Sequence, residues 1–374
     1  MSKKLRILVV GVKGMGAQHA RILAQLPEYE LAGICDLDSA VAHAVADPLS
    51  VPVWESLSTA IRDTNAEVVS VCTPNASHAA LTMEAARAGV RAVNCEKPMA
   101  VNLGDARRMA DVCRQENVAL IVNHQRRLSP DLLRARELIT SGAIGELVRL
   151  EGYCAGDFLS DGTHAVDSLF WLAGDVPALS VSATIDLPPL SAENPQGSGT
   201  RYGHAVEKGM ESRITLQNGL EVHLATGSRA DRKAYQEYLV IGTKGRLWRV
   251  GDRHQPNLFL EQTGKAGTHA EAFDSKLWYS YPVADSGKDE TWTVVDLPKP
   301  GPGGSIGESY RRLHACLAGT GPDHPLRAEI ALRNFEVVMA VYEAARLGQT
   351  IHLPLQQERF PLDLILEEQT KNAS

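Results

Sequence analysis

The stretch Leu5-Arg6-Ile7-Leu8-Val9-Val10-Gly11-Val12-Lys13-Gly14-Met15-Gly16 decides the fold. An unbroken apolar run ends in a glycine-rich turn, and a helical stretch to about residue 25 follows. Further apolar runs stand at 31–35, 68–72, 90–95 and 118–122. Helical stretches separate them, one reaching about residue 88 and one covering 103–116. In the latter, Leu103, Ala106, Met109, Ala110 and Cys113 fall on one face. Continuous apolar strands alternating with amphipathic helices predict a doubly wound parallel sheet covered on both sides.

After Val122 the pattern changes. A helix over 131–141 leads to β-rich segments at 147–155, 178–185, 206–217, 220–227, 237–241 and 246–250. Gln217-Asn218-Gly219-Leu220 is a hairpin signal. Hairpin-linked strands predict an α+β domain with an open, mostly antiparallel sheet. Residues 186–203 and 298–305 read as loops by their Pro and Gly content. A last helix over 326–347 would turn Ile330, Phe335, Val338, Val341 and Ala345 to one side. The chain of 374 residues exceeds one domain at roughly 150 residues each. The expected division is 1–122 and 123–374.

Composition excludes several classes. Apolar residues make up 44% and charged residues 22%, which is enough apolar material for packed cores and argues against disorder. The net charge of −7 offers no footprint for nucleic acid or an anionic membrane. No apolar run approaches the roughly 18 residues of a transmembrane helix. The six cysteines form no CxxC or CxxH spacing, so no metal site is expected. Three of them, Cys35, Cys72 and Cys95, close buried strands, which fits a reducing, cytosolic setting.

The opening turn carries the chemistry of a dinucleotide site. Gly11 permits the tight turn, Gly16 permits close helix–strand packing, and a pyrophosphate would sit at the helix N-terminus beside Gly14 and Met15. Asp36 closes the second strand 20 residues beyond Gly16, where a carboxylate accepts hydrogen bonds from the adenosine ribose. Its charge repels a 2′-phosphate and favours NAD. Lys13 replaces the usual middle glycine, and its positive charge leaves NADP open.

Further motifs follow the later strands: Thr73-Pro74-Asn75-Ala76-Ser77-His78, then Cys95-Glu96-Lys97-Pro98. More stand at Asn123-His124-Gln125-Arg126-Arg127-Leu128-Ser129-Pro130, Ser141–Glu146, Gly162-Thr163-His164-Ala165-Val166-Asp167 and Ile241–Gly245. Together these resemble the Gfo/Idh/MocA family, the relatives of glucose-fructose oxidoreductase and inositol dehydrogenase. The resemblance implies a Rossmann domain followed by an open antiparallel sheet. It also implies cofactor contacts from Thr73, Pro74, Asn75, His78, Glu96 and Lys97, often with a cis bond before Pro98. Many such proteins form dimers or tetramers through the outer face of the sheet, so a homodimer or homotetramer is expected.

Oxidising a secondary alcohol needs a hydride acceptor and a base for the hydroxyl proton. Lys97 lies beyond the carboxyl end of its strand, where ligands of such sheets bind, and suits the alcohol oxygen. His164 titrates in the useful range and starts a helix, with Asp167 spaced to orient it. The family pattern has an aspartate four residues before that histidine. Here Ser160 holds the position and Asp161 comes one step later. Either Asp161 takes the role through a changed loop, or Lys97 and His164 work alone; capping a helix is the third use of Ser160 or Asp161. Gln125, Arg127, Asp157 and Tyr235 are the expected substrate contacts. Arg201, Tyr202 and His204 suit structure or ligand equally. The Arg126–Arg127 pair also suits a carboxylate, although a single arginine more often forms an ion pair.

Three functions fit the pattern. The first is an NAD(P)-dependent dehydrogenase of a sugar, sugar derivative or cyclitol. The second is an NAD-dependent glycoside hydrolase that oxidises, eliminates, hydrates and re-reduces. The third, a silent NAD-binding regulator, is disfavoured because Lys97 and His164 are both present.

Overall fold

The computed structural model describes residues 3–188, 199–230, 235–251, 256–262 and 292–373. Its first sheet is parallel and built from β1 (Leu5–Val10), β2 (Tyr29–Cys35), β3 (Val53–Trp54), β4 (Val68–Val71), β5 (Ala92–Cys95) and β6 (Ala119–Val122). The order β3-β2-β1-β4-β5-β6 reverses direction at β1, the place where doubly wound sheets bind ligands. Every residue of β4 and β5 is buried, as continuous apolar runs require when helices cover both faces. Each fully buried Val side chain there contributes about 1.5–3 kcal/mol. The sequence reading found five strands here. The sixth, β3, is two residues long and too short to leave an apolar pattern.

Among the described residues the second sheet holds nine strands. From one edge they run β16 (Trp292–Val294), β15 (Asn257–Gln262), β14 (Gly245–Gly251), β13 (Gln236–Gly242), β7 (Leu147–Cys154), β12 (Glu221–Thr226), β11 (Gly209–Leu216), β8 (Ala178–Asp186) and β17 (Ile351–His352). All its neighbours pair antiparallel except β7 and β12. The predicted hairpin joins β11 to β12, with Gly219 at φ 84°, a value that glycine adopts freely. The stretch read as the loop 186–203 is structured at its ends. Strand β8 runs through Asp186, and Gly199–Arg201 (β9) pairs with His204–Val206 (β10); its residues 189–198 lie outside the described residues.

Two helices tie the layers together. Gly304–Leu317 (α8), following α1 (Met15–Leu23), α2 (Ser39–Ala46), α3 (Leu57–Thr64), α4 (His78–Arg87), α5 (Leu103–Gln115), α6 (Pro130–Thr140) and α7 (Thr163–Leu172) among the described residues, packs back on the parallel sheet through Ile306, Tyr310 and Leu313. The Tyr310 hydroxyl lies 2.7 Å from His19 Nδ1 and 2.6 Å from Ser70 Oγ. Ala328–Leu347 (α9) is buried on more than one side, including Asn334, Phe335, Val337, Met339 and Tyr342. This corrects the one-sided reading of that helix: it lies in the core and presents no broad solvent face. A last helix, Pro361–Ala373 (α10), was not foreseen.

Candidate active site

A cleft of about 1700 Å³ opens along the carboxyl edge of the parallel sheet. That exceeds the roughly 300–1,000 Å³ of a single small-molecule site and leaves room for a dinucleotide beside a substrate. Gly11, Lys13, Gly14, Met15 and Asp36 line one end. Gly11 has φ 78°, and a Cβ there would stand 2.5 Å from Thr73 Cγ2. A Cβ at Gly16 would stand 1.8 Å from the Gly11 carbonyl oxygen, so both positions exclude side chains. Gly14 has φ 85° with open space around it, and Lys13 is exposed. Helix α1 starts here with neither a capping side chain nor an acidic residue in its first turn, which leaves its positive end available to an anion. Asp36 Oδ2 accepts from Val12 N at 2.8 Å and Oδ1 from Asp38 N at 3.0 Å, which fixes the carboxylate at the rim. Glycine cradle, helix terminus and fixed carboxylate together fit a dinucleotide.

Thr73, Pro74, Asn75, His78, Glu96 and Lys97 line the middle of the cleft. Buried His78 faces two carbonyls, Thr73 O at 2.8 Å and Pro98 O at 2.7 Å, and so staples the loops after β4 and β5. Burial pushes its pKa below the ordinary value, against the pull of the two carbonyls. Glu96 is buried as well. Burial alone would raise its pKa, but His19 at 3.1 Å, Lys97 and Asn123 Nδ2 at 2.6 Å outweigh that and bring it down to about 2. Glu96 is thus a fixed negative charge behind the lysine. The Lys97–Pro98 bond is cis, as the resemblance implied.

Lys97 Nζ donates to the Ser160 carbonyl at 2.7 Å. Ser160 and Asp161 belong to a π-helical turn, Phe158–Gly162, closed by Gly162 N donating to Asp157 O at 3.0 Å. The turn sends the two side chains apart. Ser160 Oγ meets His204 Nε2 at 3.1 Å, beside Asn75 Nδ2 at 3.0 Å from the same nitrogen. Asp161 accepts from Arg201 Nη1 at 2.6 Å and from the Tyr235 hydroxyl. Lys97, Asp161, His164, Gln125 and Tyr235 all line the cleft, so five expected catalytic and substrate residues converge.

Three expectations need correction. Arg127 does not face the cleft: its side chain is wholly buried, with Nε 2.6 Å from Asp167 and Nη1 2.8 Å from Asp175. Asp157 is also withdrawn, capping the π turn through Ser160 N at 2.7 Å and pairing with Arg201 at 2.8 Å. Asp167 gives its oxygens to Arg127 and to Asn334 Nδ2 at 3.0 Å, so the pairing expected with His164 is replaced by a core ion pair. Arg126 and Arg201, which the sequence left open between structural and ligand roles, both line the cleft. Which arginine of the 126–127 pair faces it was hidden by phase: Gln125–Leu128 is a 3₁₀ turn, in which successive side chains diverge by about 120°. Arg201 follows a loop and has no periodic signal.

Glu207 supports the π turn from outside the cleft. Its Oε1 accepts from Phe158 N at 2.6 Å and its Oε2 from the Tyr342 hydroxyl at 2.7 Å. Burial pushes its pKa up to about 7. A carboxyl with a raised folded pKa binds its proton more tightly in the folded state, so stability falls as pH rises from about 4.5 to about 7. The loss is at most about 3 kcal/mol. Urea unfolding of Glu207→Gln should therefore show a stability gain over the parent at pH 8 that vanishes at pH 4.5. An equal difference at both values would refute the assignment.

Residues 5–124 match the family described as an oxidoreductase family with NAD-binding Rossmann fold, and residues 151–353 match its C-terminal alpha/beta domain. An uncharacterized oxidoreductase of Streptococcus pneumoniae is 34% identical over 146 residues, covering 39% of this chain and 38% of that protein. D-apiose dehydrogenase of Paraburkholderia graminis is 24% identical over 386 residues, covering 96% and 92%. The solved aldose-aldose oxidoreductase of Caulobacter crescentus shares the fold, with a TM-score of 0.75 at 18% identity over 94% of this chain and 100% of that one. No described helix is long and apolar enough to cross a membrane. The chain belongs to the Gfo/Idh/MocA oxidoreductase family, with an NAD-binding Rossmann domain at its N-terminal end.

Proposed function

We propose that the protein is an NAD-dependent dehydrogenase that oxidises a secondary hydroxyl of a sugar, sugar derivative or cyclitol. The observation that carries this reading is the placement of Lys97. Its ammonium enters the cleft from the end of β5, anchored on the Ser160 carbonyl, with His164 lining the same cavity. The nicotinamide, when bound, accepts the hydride that leaves the substrate carbon with its C–H electron pair. Lys97 holds the alcohol oxygen through its ammonium and stabilises the developing alkoxide, and His164 takes the hydroxyl proton and passes it toward solvent. Asp161, Arg201 and Tyr235 form a polar wall for substrate hydroxyls. Asp36 favours NAD over NADP because its charge repels a 2′-phosphate.

The full-length similarity to a D-apiose dehydrogenase supports a carbohydrate substrate. The six cysteines form no disulfide, which suits a reducing compartment. A homodimer or homotetramer through the outer face of the nine-stranded sheet completes the reading. The test is a panel of sugars, cyclitols and aryl glycosides with NAD and with NADP, following nicotinamide reduction and aglycone release together. Reduced cofactor in proportion to product supports the dehydrogenase. Aglycone release without net reduction would replace it with the hydrolase.

A further inference from the structure

We infer that the substrate carries a carboxylate, held by Arg126; the inference rests on the dehydrogenase reading and names its substrate class. Arg126 is only 9% exposed, yet it lines the cleft. Among the described residues two other arginines are buried to this degree, and each sits on an acid. Arg127 has Asp167 and Asp175, and Arg249 has Asp131 at 2.8 Å. Arg126 has no carboxylate partner among the described residues. Its guanidinium donates through Nη1 to the Gln236 side-chain carbonyl and lies over the Tyr235 ring, 5.2 Å from the centroid. A neutral amide and a ring face do not supply the negative charge that a buried guanidinium normally requires.

The Asp161 carboxylate in this wall is already used. The Tyr235 hydroxyl donates to Asp161, and Asp161 is paired with Arg201. Gln236 links the two sides, with Nε2 3.4 Å from the Asp161 carbonyl. The next carbonyl back, that of Ser160, holds Lys97. Arg126 is therefore joined to the proposed reacting lysine through one short segment, on the substrate side of the cleft and away from the glycine turn. Its planar fork of five donors matches a carboxylate in bidentate geometry. A sugar acid or carboxylated cyclitol would bring the missing charge, with its hydroxyls reaching Lys97 and the Asp161 wall.

The experiment compares matched pairs, hexuronates and aldonates against the corresponding hexoses and alditols, by NAD reduction and by calorimetric binding to the NAD-loaded protein. The acids should exceed their neutral partners in kcat/KM by about 30-fold or more, the worth of a charge-assisted pair. Arg126→Gln should remove that advantage chiefly through KM and through acid binding, while NAD affinity holds. Arg126→Lys, which keeps the charge without the fork, should retain part of the advantage. Neutral sugars oxidised as well as their acids would overturn the inference and leave the dehydrogenase standing. So would an Arg126→Gln variant that loses NAD affinity as steeply as acid affinity. Acid binding that depends on Arg126 without any oxidation would uphold the carboxylate subsite and sink the dehydrogenase reading.

Discussion

Replacing Lys97 by alanine should lower turnover by about 10³-fold, the upper end of the roughly 10²–10³ for a lost donor to a developing oxyanion. The lysine makes a single described hydrogen bond through Nζ, to the Ser160 carbonyl, so its removal strips little from the fold. The cofactor end is built from other parts: Gly11, Gly14, the start of α1 and the Asp36 carboxylate pinned to Val12 N. NAD binding, followed by quenching of protein fluorescence, should therefore stay close to that of the parent. Loss of turnover with cofactor binding retained locates the defect in the chemical step. A variant that keeps a tenth or more of the parent activity would remove Lys97 from the mechanism.

Arg127→Ala should be among the most damaging substitutions for stability, costing about 3–5 kcal/mol, because it breaks a buried ion network by removing one partner. The side chain is inaccessible, and burial works against its charge, but Asp167 and Asp175 hold the guanidinium firmly protonated. Alanine would leave Asp167 with only Asn334 and with His124 at 4.0 Å, and would open a cavity beside the Trp171 ring, which lies 5.4 Å from the guanidinium. Urea unfolding should show the whole effect. In the folded fraction the KM for substrate should change little, since Arg127 does not line the cleft. A raised KM with unchanged stability would restore the substrate role read from the sequence.

The contrast between neighbouring arginines shows what the sequence could carry. Positions on strands and at strand ends were legible, because burial of a parallel strand leaves a continuous apolar run and its end is fixed by the run's end. Gly11, Asp36, Thr73 and Lys97 were all placed in this way, and all line the cleft. Positions in tight helical turns were not. Between Arg126 and Arg127 one step of a 3₁₀ turn separates cleft from core. Between Ser160 and Asp161 one step of a π turn separates the Asn75–His204 cluster from Arg201 and Tyr235. Such directions depend on which carbonyl each amide chooses, and residue type does not encode that choice. Helix α9 was misjudged for a related reason: a helix packed on several sides has no polar stripe to define its period. Tyr310 reaching His19 from far along the chain is a tertiary fact with no local signal.

The transfer of label from substrate to cofactor tests the central claim most directly. A substrate from the sugar or cyclitol panel is deuterated at the carbon that bears the reacting hydroxyl, and the reduced nicotinamide released is examined for deuterium at C4. The account predicts deuterium there in proportion to oxidised product, with both lost in Lys97→Ala. Deuterium returned to the product sugar, with no labelled cofactor released, would contradict it.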